Sequence, residues 1–216
     1  MSAEQAEAKA ESKGGDEAQG KGELQSLLQV AVEKKPFSEL FDVSLDHRGA
    51  ELIGDTLLNT LENRGFALDD FDAVGALTAA AVPMVTAVMH AAHARGRELS
   101  GFVMDFVYPS IKGPSILGKR VVLLDSWLSE KSYVQTSSLV TLRNGNELSL
   151  DFSVVEHEGA QVAAIASLIG GVSGDAAASS IKVINPISGE ERNLPFVIAF
   201  DEDELRGDAT AAPKAR

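Results

Sequence analysis

Apolar positions along the chain switch between two periods, and the switches divide it into elements. Leu24, Leu27, Leu28 and Ala31 recur at i, i+3, i+4 and i+7, which predicts an amphipathic helix. The stretch "ELFDVSLD" (39–46) predicts a strand or strand pair. Leu52, Thr56, Leu57 and Leu61 share one side of a helix predicted over 50–63, with Gly65 as its natural stop. Strand and helix then alternate: "FDAVGAL" is a strand, "VPMVTAVMHAAHAR" a helix closed by Gly96, and "SGFVMDFV" a strand leading through a Pro/Gly loop to the strand "KRVVLLD". Beyond these, the pattern predicts a helix over 130–143, a strand at "LSLDFSVVE", a helix at "AQVAAIASLIGG", and late strands at "IKVINPIS" and "PFVIAF". Alternating βα units with apolar strands predict an α/β fold, a Rossmann-like, mainly parallel sheet flanked by helices. Ligands in such folds sit at the C-terminal ends of the strands, which places 77–81, 105–114 and 125–132 on the functional rim. No internal repeat interrupts this order.

Composition narrows the picture. Residues 1–23 hold no Val, Ile, Leu, Phe, Trp or Tyr, so a disordered tail is expected there, and 206–216 reads the same way. Residues 24–205 are then one domain, because a 216-residue chain with 44% hydrophobic content buries one sizeable core while two halves would each be marginal. Nineteen basic against 32 acidic residues give a net charge of −13, whose field repels nucleic acid and anionic membranes, so neither is an expected partner. The absence of cysteine excludes disulfides and thiolate catalysis. No secretory h-region opens the sequence and no apolar run approaches about 20 residues, so a soluble, cytoplasmic protein is expected.

The chemistry concentrates in "VVLLDSWLSEKSYV" (121–134). Four apolar residues end in Asp125, as a buried parallel strand ends at a ligand crevice. A phosphate held there needs a small-residue loop whose backbone N–H groups cradle it. After Asp125 the chain continues with Ser126, Trp127, Leu128, Ser129, Glu130, Lys131 and Ser132, and no glycine is among them. A glutamate brings like charge to a phosphate dianion, and losing glycine puts a side chain where backbone must approach closely. His90 and His93 lie at i, i+3 without a visible third ligand and read as structural or solvent-facing rather than as a metal site. Glu156, His157 and Glu158 read as a solvated turn, and "LDDFD" (68–72) as turn chemistry.

The phrase "FDAVGALTAAAVPMVTAVMHAAHARGRELSGFVMDF" (71–106) resembles the stretch of orotate phosphoribosyltransferases in which a "VGGLTLGADP" loop precedes a helix ending "HAAAARG" and a strand "AFVVRK". "IKGPSILGKRVVLLD" is similar to that family's "IEGPDVKGRRVLVVED", and "FSVVEHEGA" to its "ATIVDRGGA". "FDEDEL" (200–205) resembles its short closing acidic helix. The resemblance spans roughly 37–171 and implies the type I phosphoribosyltransferase fold. It also implies transfer of a phosphoribosyl group from phosphoribosyl pyrophosphate to orotate, with magnesium bridging the pyrophosphate.

Set against the family pattern, Asp125 keeps the first acid of the signature, but Ser126 stands at the second, Ser129 and Glu130 at the threonines, and Lys131 at the glycine. Asp105 and Phe106 replace an Arg-Lys pair, inverting the charge. Only 107–110 separate Phe106 from Ile111, and a connection that short, at most about 3.5 Å per residue, cannot form the family's lid. Ala76 and Ala80 stand where glycines are usual, Val82 where an acid is usual, and Pro83 remains. The rim residues with which a ligand would meet are Leu77, Thr78, Ala79, Ala80, Asp105, Asp125 and Trp127, the indole either stacking on a base or filling the vacated phosphate pocket. The expectation is a catalytically degenerate homologue kept as an interaction or regulatory protein, without cofactor. It forms a homodimer, or a heterodimer with an intact homologue, through the apolar pattern at Leu52, Leu57, Leu61 and 84–92. The alternative is an active, magnesium-using enzyme making orotidylate in pyrimidine nucleotide biosynthesis, or acting on a related phosphorylated ligand.

Overall fold

The computed structural model describes residues 3–33, 37, 40–105, 110–129, 140–143, 147–171, 180–185 and 187–207. Its centre is a run of parallel strands: β2 (Ser100–Met104), β1 (Ala73–Ala76), β4 (Arg120–Ser129), β7 (Gln161–Gly171) and β9 (Glu191–Asp201). The short β3 (Ile111–Lys112) adds antiparallel to β2 at one edge. At the other, β8 (Ser180–Ile184) is antiparallel to β9, β6 (Glu147–Leu150) parallel to β8, and β5 (Val140–Arg143) antiparallel to β6. The full order is β3-β2-β1-β4-β7-β9-β8-β6-β5.

Alternate residues of β4 show why the central strands are apolar throughout. Val122 and Leu124 face a core shared with helices α1 (Ala3–Val32), α3 (His47–Asn63) and α4 (Val82–Ala94). Val121 and Leu123 face a second core closed by Ile116, Phe152 and the short helix α5 (Ser153–His157). Both faces are dry, as parallel strands require. Gly54 on α3 sets the spacing of the first layer, because a Cβ there would lie 2.4 Å from the Ala87 carbonyl oxygen of α4. Helix propensity favours alanine by about 1 kcal/mol, yet Gly54→Ala is expected to lower stability by roughly 1–3 kcal/mol through overpacking against rigid backbone. An unchanged urea midpoint would contradict this.

Several elements differ from the sequence reading. Residues 160–171, expected as a helix, form the central strand β7 between β4 and β9. A run of Val, Ala, Ile and Leu interrupted only by Ser167 satisfies either period, and burial on both sides decides for the strand. The expected strand at 39–46 holds instead the short helix α2 (Phe41–Ser44), followed by Asp46, whose carboxylate accepts from the N–H groups of Arg48 (3.0 Å) and Gly49 (2.9 Å) and starts α3. The expected strand at 148–156 stops at Leu150. Asp151 there accepts from the Ser153 N–H and hydroxyl, and this local hydrogen bonding turns the chain into α5. Of the helix expected over 130–143, residues 130–139 lie outside the described residues and Val140–Arg143 is strand β5, in keeping with its β-branched Val140 and Thr141.

The amino-terminal stretch expected to be a disordered tail is helical from Ala3, continuous with the predicted helix at Leu24. Its Ala, Glu, Lys and Gln content lacks core-forming side chains but favours helix intrinsically. Lys21 sits 5.3 Å from the Phe200 ring centroid, and Glu23 pairs with Arg48 at 2.5 Å. At the other end, the acidic helix α6 (Glu202–Arg206) closes on Gly207 at φ 72°, and 208–216 lie outside the described residues. The apolar pattern from which a dimer was expected lies inside the protein: Leu52, Leu57, Leu61, Met84 and Val88 are all buried in the core beneath α3 and α4. Periodicity marks a buried face without saying what buries it.

Candidate functional site

Asp125 comes to the rim on β4, beside the loop that follows β1. It is only 2% exposed. Its Oδ1 accepts from the Thr78 hydroxyl at 3.0 Å, the Ser126 N–H at 2.6 Å and, more weakly, the Trp127 N–H at 3.4 Å. Its Oδ2 is buried without a hydrogen-bond partner among the described residues. Burial pushes the carboxyl up to about 6, against the lowering effect of the Thr78, Ser126 and Trp127 donors.

Sequence reasoning places a loop after Asp125, but β4 continues as strand to Ser129. Trp127, Leu128 and Ser129 pair with Ile169, Gly170 and Gly171 of β7. With no glycine to break the strand, the ladder extends to the edge where a cradle would begin. Trp127 is held on two sides. Its Nε1–H donates to Glu202 Oε2 at 2.9 Å, and its ring centroid lies 5.4 Å from that of Phe37, tilted 46°. Glu202 is 2% exposed despite opening an acidic helix, and the Arg206 guanidinium lies 4.6 Å from the Phe37 ring centroid. Glu202 and Phe37 are the site neighbours that sequence reasoning missed. The acidic run at 200–205 was visible in the sequence, but the burial of one of its acids against an indole 75 residues away was not.

The remaining rim residues separate into distinct places. Leu77 is buried, its N–H donating to the Leu124 carbonyl at 2.9 Å. Ala79 and Ala80 lie in a 3-10 turn (Ala79–Ala81) that feeds α4, and Thr78 gives its hydroxyl to Asp125 rather than capping that turn. Asp105 is not directed at the crevice as a lone charge: Lys112 on the neighbouring strand pairs with it at 3.3 Å. Phe106, Glu130, Lys131 and Ser132 lie outside the described residues. Farther off, Glu156 pairs with Arg192, which lies 4.2 Å from the Phe152 ring centroid, so part of the expected solvated turn is an ion-paired surface.

No family model matches the chain. An orotate phosphoribosyltransferase of Streptomyces avermitilis is 29% identical over 184 residues, 82% of this chain and 86% of that protein. One from Tropheryma whipplei is 32% identical over 149 residues, 66% of this chain and 61% of its own length. The crystal structure of Mycobacterium tuberculosis orotate phosphoribosyltransferase in complex with inorganic phosphate superimposes with a TM-score of 0.56 at 23% identity, covering 86% of this chain and 90% of that one. A phosphoribosyltransferase from Corynebacterium diphtheriae superimposes with a TM-score of 0.53 at 24% identity, covering 87% and 98%. The chain is thus similar over most of its length to curated orotate phosphoribosyltransferases. Its fold is the type I phosphoribosyltransferase fold, as the resemblance implied.

The resemblance raises the question of magnesium. Of the two rim carboxylates, Asp105 pairs with Lys112, and Asp125 has one oxygen engaged by three donors and the other buried. No three His, Asp or Glu side chains converge as a cation site among the described residues. The described residues therefore offer a divalent ion no direct protein cradle. No helix among them is long and apolar enough to cross a membrane.

Proposed function

We propose that this member of the family serves as an interaction or regulatory protein and does not transfer phosphoribosyl groups. The observation that carries the reading is the inward turn of the Ser126 and Trp127 N–H groups onto Asp125, in a strand that runs on to Ser129 where a phosphate cradle would begin. Backbone N–H groups already satisfied internally give a phosphate dianion nothing to replace its water. The pairing of Asp105 with Lys112 and the sealing of Trp127 against Phe37 and Glu202 support the same reading. Incubation of the purified chain with orotate, magnesium and phosphoribosyl pyrophosphate tests it. Orotidylate formed above background would overturn the proposal in favour of an active pyrimidine-pathway enzyme.

An interaction role requires a partner, and a second family chain, identical or intact, is the one proposed. Light scattering of the chain alone and mixed with an intact homologue is expected to give a mass well above 22.8 kDa in at least one case. A mass near that of the single chain in both would count against it.

A further inference from the structure

We propose a second ligand site, for a small phosphorylated molecule, at the opposite ends of the strands from Asp125. A cleft of about 670 Å³ opens where β1, β2 and β4 begin, lined by Met89, His90, His93, Arg97, Ser100 and Lys119. Its size falls within the roughly 300–1,000 Å³ of small-molecule pockets. Ser100 is the first residue of β2 and Lys119 immediately precedes β4, so the cleft shares no residue with the rim. The proposal stands whether or not that rim is active.

Two cations here are less engaged than several others among the described residues. Arg48, Arg95 and Arg192 are each held by carboxylates at hydrogen-bonding distance. Lys119 instead donates to the Ser100 hydroxyl at 2.6 Å and pairs with no carboxylate among the described residues. Arg97 reaches Asp69 at 3.5 Å and Asp72 at 3.9 Å, both longer than the 2.7–3.2 Å typical of a good hydrogen bond. Its Nε–H is buried with no partner among the described residues. Asp72 is already engaged, accepting the Arg120 N–H at 2.9 Å with the Arg120 guanidinium at 3.6 Å, and these contacts hold its carboxyl below the usual range. Asp72 and Glu98 both border the cleft, Glu98 exposed to water. A guanidinium whose carboxylate contacts are long, an ammonium bonded only to a hydroxyl, and two exposed imidazoles together suit an oxyanion, the guanidinium fork and the ammonium point charge being the usual phosphate binders. The chain's charge of −13 repels anions at long range, but screening beyond about 8 Å at physiological salt leaves the local cations to decide.

The cleft holds far more than a phosphate, and its wall includes the half-buried Met89 and the buried Leu99. The ligand therefore carries an apolar or ring-bearing part beside its phosphate. Calorimetric titration of the full chain with phenyl phosphate and with inorganic phosphate tests this. Phenyl phosphate is expected to bind with a dissociation constant of about 1 mM or tighter, and more tightly than inorganic phosphate. Lys119→Ala should weaken it at least about tenfold, since a charge-assisted hydrogen bond is lost. Arg97→Gln should do the same, should Lys119→Ala fail to fold. Lys112→Ala, at the other end of β2, should leave binding unchanged. Absence of saturation at about 10 mM, a constant indifferent to Lys119 and Arg97, or a loss caused by Lys112→Ala would each overturn the assignment.

Discussion

Titration with magnesium and phosphoribosyl pyrophosphate is expected to show affinity on the order of a thousandfold or more below that of an intact family enzyme. On the proposed reading, three contributions are missing together. The Ser126 and Trp127 N–H groups turn onto Asp125 instead of facing a phosphate. Ser126 stands where the resemblance implies the second carboxylate of an acid pair, and carries no charge for a ribose hydroxyl. Asp105, where the resemblance implies a cation, is an anion paired with Lys112. Hydrogen bonds to charged groups contribute about 1.5–3 kcal/mol each, so the three come to roughly 4–9 kcal/mol, at about 1.4 kcal/mol per tenfold. Turnover should fall further, because positioning and transition-state charge stabilisation both depend on groups that close over the substrate. A micromolar dissociation constant would sink this prediction even if no product formed.

The second large effect is expected from Asp125→Asn, read as a difference between two pH values. The folded carboxyl titrates at about 6 against an ordinary 3.8, because burial disfavours the charged form. A raised folded pKa means that the native state holds the proton more tightly than the unfolded chain. The group's stabilisation is thus complete below about 3.8 and is lost as pH rises through about 6. Roughly two pKa units at 1.36 kcal/mol each make that loss about 3 kcal/mol. Asparagine does not titrate. The stability of the variant relative to the parent should therefore rise by up to about 3 kcal/mol between pH 4 and pH 7.5, whatever asparagine itself costs in packing. Other titrating groups are common to both proteins and cancel. Equal differences at the two pH values would show that Asp125 is solvated or compensated.

The legibility of this protein varied with the kind of element. Helices α3 and α4 were readable because each carries one apolar stripe with a stop signal, at Gly65 and Gly96, and strands β1, β2 and the start of β4 because short β-rich runs lie between turn residues. The same local signals carried the family resemblance across 71–125 and put Asp125 at a strand end. Residues 160–171 were misread because an Ala-rich apolar run has no period, and only its place between β4 and β9, dry on both faces, makes it strand. The first part of α1 was misread because lack of apolar side chains speaks to packing and not to backbone conformation.

What the sequence by itself determined is the α/β class, the resemblance to orotate phosphoribosyltransferases, the acid at the end of β4, and the absence of a glycine directly after it, since each depends on residue types a few positions apart. What only the tertiary structure decided is which groups satisfy one another. Trp127 finds Glu202 and Phe37, Asp105 finds Lys112, and Lys119 is left with Ser100 while carboxylates elsewhere in the chain engage other cations. The physical reason is that a hydrogen bond or ion pair depends on distances of a few ångströms, and the chain folds those partners together from sites as much as 75 residues apart.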